Sequence, residues 1–124
     1  MKVIIAGSRN IQDHNIVLVA LARSGFQPTE IVSGNARGVD AIGERIARDR
    51  RIPIATFTAP WATHGKAAGP IRNRAMAQYA DALVAVWDGQ SRGTKNMIDE
   101  AEKRGLKVFI YRTDEAYAAE RRKA

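Results

Sequence analysis

Two short loops hold the residues best suited to chemistry. In the first, Ser33-Gly34-Asn35-Ala36-Arg37-Gly38-Val39-Asp40 follows the apolar pair Ile31-Val32. In the second, Asp88-Gly89-Gln90-Ser91-Arg92-Gly93-Thr94 follows Leu83-Val84-Ala85-Val86-Trp87. A helical pattern begins directly after each. Strand, tight glycine loop and helix together turn free backbone N–H groups and the positive end of a helix dipole toward one point, where an anion binds. Two such loops meeting at one sheet edge imply a ligand with phosphates.

The residue types around these loops fit that ligand. Gly7, Gly34, Gly38 and Gly93 allow the backbone to come close to it. Ser8, Ser33, Ser91 and Thr94 add hydroxyl donors. Arg9, Arg37, Arg72, Arg74 and Arg92 supply planar cationic forks that match phosphate oxygens. Turn geometry alone would explain the glycines but not the Ser, Thr and Arg beside them. Ala36 lies within the first loop, and Asn73 lies between two of the arginines.

Other candidates carry two readings each. Asp40 and Asp88 are placed to accept from ribose hydroxyls; Asp40 alternatively neutralises Arg37, and Asp88 alternatively caps its own loop. Trp61 either stacks on a base or covers a core edge, whereas Trp87, closing an apolar run, reads as core. His64 and Lys66 crowd the stretch before Arg72. Lys66 is a phosphate contact or a solvated charge, and His64 is an acid–base group or a structural one.

Elements of definite length must position these residues. Strands are expected at 2–6, 30–33, 53–57, 82–87 and 107–111. Helices are expected at 13–23 (Ile16, Val17, Ala20 and Leu21 inward, Asp13 as cap), 38–50 (Val39, Ile42 and Ile46 inward), 70–80 (Ile71, Ala75 and Tyr79 inward), 94–104 (Met97, Ile98 and Ala101 inward) and 114–122. Gly105 marks the end of the fourth. Thr58 to Gly69 reads as an irregular stretch, and such stretches inside a domain usually serve function. Strands that are apolar throughout and alternate with helices imply a parallel sheet covered on both faces, joined by right-handed crossovers. The expected fold is α/β: a small Rossmann-like three-layer sandwich with a mainly parallel five-stranded sheet, one domain over residues 1–124.

Composition narrows the function classes. There are 124 residues, of which 45% are hydrophobic, ordinary for a globular domain. Cysteine is absent, which excludes disulfides and thiolate metal sites, and two histidines do not support a His-rich metal site. No apolar run approaches the roughly 20 residues that span a bilayer. Met1 to Ala6 reads as a strand rather than a signal segment, so a cytoplasmic location is expected. The net charge of +7 favours anionic partners. Part of it has a local explanation: Arg48, Arg50, Arg51, Lys103, Arg104 and Lys107 gather at helix C-termini, where cations complement the dipole.

With these residues in view, the chain resembles the SLOG superfamily, most closely its YspA/YpsA-like branch (DUF2493) of bacteria and phages. The motifs are Gly7-Ser8-Arg9, Ser33 through Asp40, His64-Gly65-Lys66-Ala67-Ala68-Gly69-Pro70-Ile71-Arg72-Asn73-Arg74, Ala80-Asp81, and Trp87-Asp88-Gly89 through Ser91-Arg92-Gly93-Thr94. The resemblance implies a Rossmann-like fold and a pocket for a nucleotide derivative such as an ADP-ribose-like compound. Related branches include phosphoribohydrolases of the LOG type and the DNA-processing protein DprA. The phosphoribohydrolases carry Gly-Gly-x-Gly-Thr-x-x-Glu. Here Gly93-Thr94 is kept, but Met97 stands where the glutamate would be, which argues against glycosidic hydrolysis.

Three functions follow in order. The first is binding of a nucleotide derivative (ADP-ribose- or NAD-like) by a sensor or sequestering module, with no required cofactor and no metal. The second is N-glycosidic cleavage, with Asp40, Asp88 or Glu100 as acid–base group. The third is DprA-like DNA binding. The expected partners are a small nucleotide ligand, weakly a nucleic acid, and further copies of the chain in a homo-oligomer, with no membrane.

Overall fold

The computed structural model describes residues 1–114. Five strands, β1 (Lys2–Gly7), β2 (Glu30–Ser33), β3 (Ile54–Thr56), β4 (Ala82–Trp87) and β5 (Lys107–Arg112), form one sheet in the order β3-β2-β1-β4-β5. Every pairing is parallel. The helices are α1 (His14–Ser24), α2 (Val39–Asp49), the short α3 (Trp61–His64), α4 (Ala68–Tyr79) and α5 (Arg92–Lys103).

The strand sequences explain the layers. Val3, Ile4 and Ile5 are each fully buried, so successive side chains on opposite faces are both covered. Val3, Ile5, Val84 and Val86 pack on one face against Val17 and Leu21 of α1 and Val39 and Ile46 of α2. Ile4, Leu83 and Ala85 pack on the other against Met76 and Ala77 of α4 and Met97, Ile98 and Ala101 of α5. At roughly 1.5–3 kcal/mol for each fully buried Val, Leu, Ile or Met, these two cores dominate the stability of the sheet.

Caps fix the helix ends. The Asp13 carboxylate accepts from the Asn15 N–H at 2.9 Å, and Gly25 closes α1 in the left-handed region at φ 73°. Ser91 caps α5 through the Thr94 N–H at 3.4 Å.

Two expectations are corrected. The stretch from Thr58 to Gly69 is not irregular: it contains α3, a 3-10 turn at Gly65–Ala67 and the start of α4. None of the residues of α3 is buried, so no apolar period announces it. In α4, Ile71 and Tyr79 lie on an exposed row at 38% and 37% exposure. The inward row is Ala68, Asn73, Met76 and Ala77, and its polar member hides it from a hydrophobic pattern. The Tyr79 hydroxyl donates to the Glu30 carboxylate at the surface. The helix expected at 114–122 lies, after its first residue, outside the described residues.

Candidate functional site

β1 and β4 are neighbours from which the chain departs in opposite directions across the sheet. A crevice forms beyond the carboxyl ends of such a pair. Several close contacts shape it. The Ser8 N–H donates to the Val86 carbonyl at 3.1 Å, and the Ser8 hydroxyl accepts from the Asp88 N–H at 3.1 Å. The ends of β1 and β4 are thereby fastened together. Gly7 sits where α2 meets this edge: a Cβ there would lie 2.1 Å from the Val86 carbonyl oxygen and 2.7 Å from Val39 Cγ2. Gly38, at φ 72°, opens α2 so close to β1 that a Cβ would lie 2.5 Å from the Ser8 and Arg9 carbonyl oxygens.

The two glycine loops do meet. Arg72 of α4 donates from Nη1 to the Gly34 carbonyl at 2.7 Å and from Nε to Asn73 Oδ1 at 3.0 Å. Asn73 in turn donates to the Gly93 carbonyl at 3.2 Å and to Asn96 Oδ1 at 2.9 Å. One arginine and one buried amide thus lock the first loop to the second. The cleft they enclose measures about 380 Å³, and its lining includes Gly7, Ser8, Arg9, Ala36, Asp40, Arg72, Asn73, Ser91, Gly93 and Thr94. At the start of α5, Asp88 Oδ1 takes the Ser91 N–H and Ser91 Oγ takes the Thr94 N–H. Of the first-turn N–H groups these caps leave, that of Gly93 belongs to a residue of the cleft lining. Gly93 lines the cleft, and a Cβ there would meet nothing within 4 Å.

A smaller hollow of about 170 Å³ adjoins the cleft, and Arg9, Gly34, Ala36, Arg37, Trp61 and Arg72 are among its walls. The remaining candidates lie outside both spaces. Ser33 is buried, donating to Glu44 Oε2 at 2.6 Å and accepting from the Asn35 N–H at 3.1 Å, so it braces the first loop from below. Asp88 takes the loop-capping role, accepting from the Gln90 and Ser91 N–H groups at 2.9 Å each. Burial pushes its carboxyl up, but these amides and the Ser8 hydroxyl outweigh that, and it ends below the ordinary carboxylate range. Arg74 lies 4.0 Å from Glu100, which also faces Arg104 at 3.7 Å. His64, Lys66 and Arg92 are exposed. Trp87 is half-buried against the core, and its Nε1 donates to the Ser91 carbonyl at 3.0 Å, steadying the second loop.

The carboxylate within the cleft is Asp40. It is 4% exposed and accepts from the Ala36 N–H at 3.3 Å. Its neighbouring cation is Arg72 rather than Arg37. Burial pushes its pKa up to about 6; the Arg72 guanidinium and the Ala36 and Gly7 amides restrain the rise, and Glu44 adds to it. Burial likewise lowers the Arg72 pKa, and Asp40 holds it up against Arg9.

The sign of the linkage is definite. The folded pKa exceeds the unfolded one, so the folded state holds the extra proton between about pH 4 and pH 6. Stability contributed by Asp40 is therefore present at acid pH and is lost as pH rises through that window. Urea titrations of the wild type and Asp40→Asn should diverge from pH 4.5 to pH 7, the wild type losing about 2–3 kcal/mol relative to the variant. Parallel profiles would contradict the burial argument.

Sequence reasoning missed Asn96, which anchors Asn73, and the part that Met76 and Met97 take in the cleft lining. Met97, expected on the inward face of its helix and noted as a departure from a motif, is 1% exposed and lines the cleft from α5. Asp99 is turned to Lys95 at 2.6 Å and Glu100 to its two arginines, so neither replaces the missing glutamate.

The sequence model of the YspA, cpYpsA-related SLOG family matches residues 1–64, just over half of the 124. The chain belongs to this family. Within its matched region lie β1 with Gly7-Ser8-Arg9 and the whole first glycine loop. A relative of the SLOG chain is the Gene 61 protein of Mycobacterium phage D29. The two are 38% identical over 120 residues, 89% of this chain and 95% of the phage protein. The fold is also that of DNA processing protein A (DprA) from Streptococcus pneumoniae, at a TM-score of 0.68 and 21% identity. The superposition covers 88% of the SLOG chain and 49% of that DprA chain, so this chain spans about half its length. Among the described residues no helix is long and apolar enough to cross a membrane.

Proposed function

We propose that this SLOG chain binds an anionic nucleotide derivative, of the ADP-ribose or NAD kind, in the cleft between the two glycine loops. One observation carries the reading: loops nearly 60 residues apart in sequence are tied by Arg72 and Asn73 around an open space rather than collapsed onto each other. Arg9 and Arg72 provide positive charge, the Gly93 amide provides a directed donor, and Asp40 is placed to accept from a sugar hydroxyl. A volume of about 380 Å³ lies within the range of small-molecule sites, roughly 300–1,000 Å³. Binding without turnover agrees with the thioether of Met97 where a hydrolase of this superfamily would carry a carboxylate.

The cluster Arg48, Arg50 and Arg51 does not belong to this site. Helices of a parallel α/β sheet run against the strands. The C-terminal end of α2 therefore lies at the sheet edge opposite the cleft, and these cations complement its dipole.

Thermal unfolding with ADP-ribose, NAD and nucleoside mono- and diphosphates tests the proposal. A ligand at 100 times its Kd should stabilise by about 2.7 kcal/mol, a rise in Tm on the order of 10 °C for a chain of this size. Chromatography of the same mixtures should show no released base. A panel with no shift overturns the reading.

A further inference from the structure

The cleft and the smaller hollow share a wall. Arg9, Ala36 and Arg72 line both. The smaller space, about 170 Å³, falls below the roughly 300 Å³ at which a whole small-molecule site begins. It is sized for part of a ligand. Its outer wall is the indole of Trp61, 51% exposed on a helix none of whose residues is buried. An aromatic ring of this size held open to solvent contributes nothing to either core. The Arg9 guanidinium stands 6.0 Å from the centre of that ring, and Arg72 is held in place by its bonds to Gly34 and Asn73. Two arginines therefore line both the larger lobe, which holds Asp40, and the smaller one, which holds Trp61.

Resting on the anion-binding reading above, we infer that the two hollows are the lobes of a single site for a ligand with two ring-bearing ends joined by a diphosphate. The diphosphate lies where the lobes meet, between the forks of Arg9 and Arg72. A sugar occupies the larger lobe, its hydroxyls toward Asp40 and its edge against Gly93. A planar base occupies the smaller lobe and stacks on Trp61. Trp61 then sets the preference for two-ended over one-ended ligands, since base–aromatic stacking is independent of the contacts in the other lobe.

The test uses three probes and two variants of the full chain. ADP-ribose fills both lobes, AMP the smaller one and ribose 5-phosphate the larger one. Calorimetric titration of the wild type should show ADP-ribose binding at least tenfold tighter than either half. Trp61→Ala should weaken ADP-ribose and AMP roughly tenfold and leave ribose 5-phosphate within twofold. Gly93→Leu, which projects into open space, should weaken ADP-ribose and ribose 5-phosphate and leave AMP within twofold. Melting temperatures near that of the wild type confirm that both variants are folded. The two-lobe inference is overturned if ADP-ribose binds no tighter than the better half, or if either variant weakens both halves alike. Binding of AMP and ribose 5-phosphate in those cases would leave the simpler anion site standing. Failure of all three probes on the wild type overturns both.

Discussion

Arg72→Met is expected to lower affinity for ADP-ribose by roughly 100-fold, a loss of about 3 kcal/mol or two charge-assisted hydrogen bonds to phosphate. The arginine has two duties. Its Nη1 and Nε hold Gly34 and Asn73, and through Asn73 the carbonyl of Gly93, so its loss loosens the spacing of both glycine loops. Its charge is also the main attraction opposing the burial of Asp40. Without it the Asp40 pKa climbs further above about 6, and the pH window in which the variant loses stability extends upward from that of the wild type. Arg72→Lys restores a charge without the planar fork and should recover only part of the affinity. Calorimetry on the three proteins measures this directly. An Arg72→Met protein that binds within threefold of the wild type would remove Arg72 from the site.

Gly7→Ala is expected to be the most damaging single methyl group in the chain. The added carbon would sit 2.1 Å from the Val86 carbonyl oxygen and 2.7 Å from Val39 Cγ2. Neither neighbour can step aside. The carbonyl is backbone of a central strand and accepts the Ser8 N–H, and Val39 is fully buried at the start of α2. Overpacking of an ordinary core site costs about 1–3 kcal/mol. Here the clash is with backbone at the switch point, so a cost of about 4 kcal/mol or more is expected, out of a total near 5–15. That corresponds to a fall in Tm on the order of 10 °C or more. Gly93→Ala is the control: nothing lies within 4 Å of its new carbon, and alanine is a better helix former by up to about 1 kcal/mol. Its Tm should equal or exceed that of the wild type. Urea unfolding of both variants gives the comparison, and a Gly7→Ala protein within 1 kcal/mol of the wild type would contradict the packing described for this edge.

What the amino-acid order disclosed, and what it withheld, has a physical pattern. Strands buried on both faces announce themselves as unbroken apolar runs, so every strand lies where the sequence placed it to within a residue. The glycine loops were equally plain, because a strand that ends in Gly, Ser and Arg before a helical period has few other uses. Contacts between elements were not. Asp40 stood beside Arg37 in the sequence, but its partner is Arg72, brought in from α4. Asp88 carried both a loop and a ligand reading, and its carboxylate accepts from the Gln90 and Ser91 N–H groups of its own loop while its N–H donates to Ser8. The phase of α4 was misjudged because its buried row contains Asn73, a polar residue satisfied by Gly93 and Asn96. A buried amide inside an apolar row has no periodic signature. It was the arginine-rich context of Asn73, not its hydrophobicity, that marked it for attention.

Site chemistry followed the same division. Ser8 was expected to offer its hydroxyl to phosphate; it lines the cleft, and its oxygen also accepts from the Asp88 N–H, a contact between β1 and β4 that residue spacing does not announce. Arg74, read as a phosphate fork, faces Glu100 on the outer side of α4 and α5.

The most direct measurement is titration of 15N-labelled protein with ADP-ribose, followed through backbone amide and arginine side-chain resonances. The account predicts saturable shifts concentrated at Arg9, Ala36, Arg72 and Gly93, with Arg48, Arg50 and Arg51 unmoved. Shifts confined to that distant arginine cluster, or none at all at millimolar ligand, would contradict it.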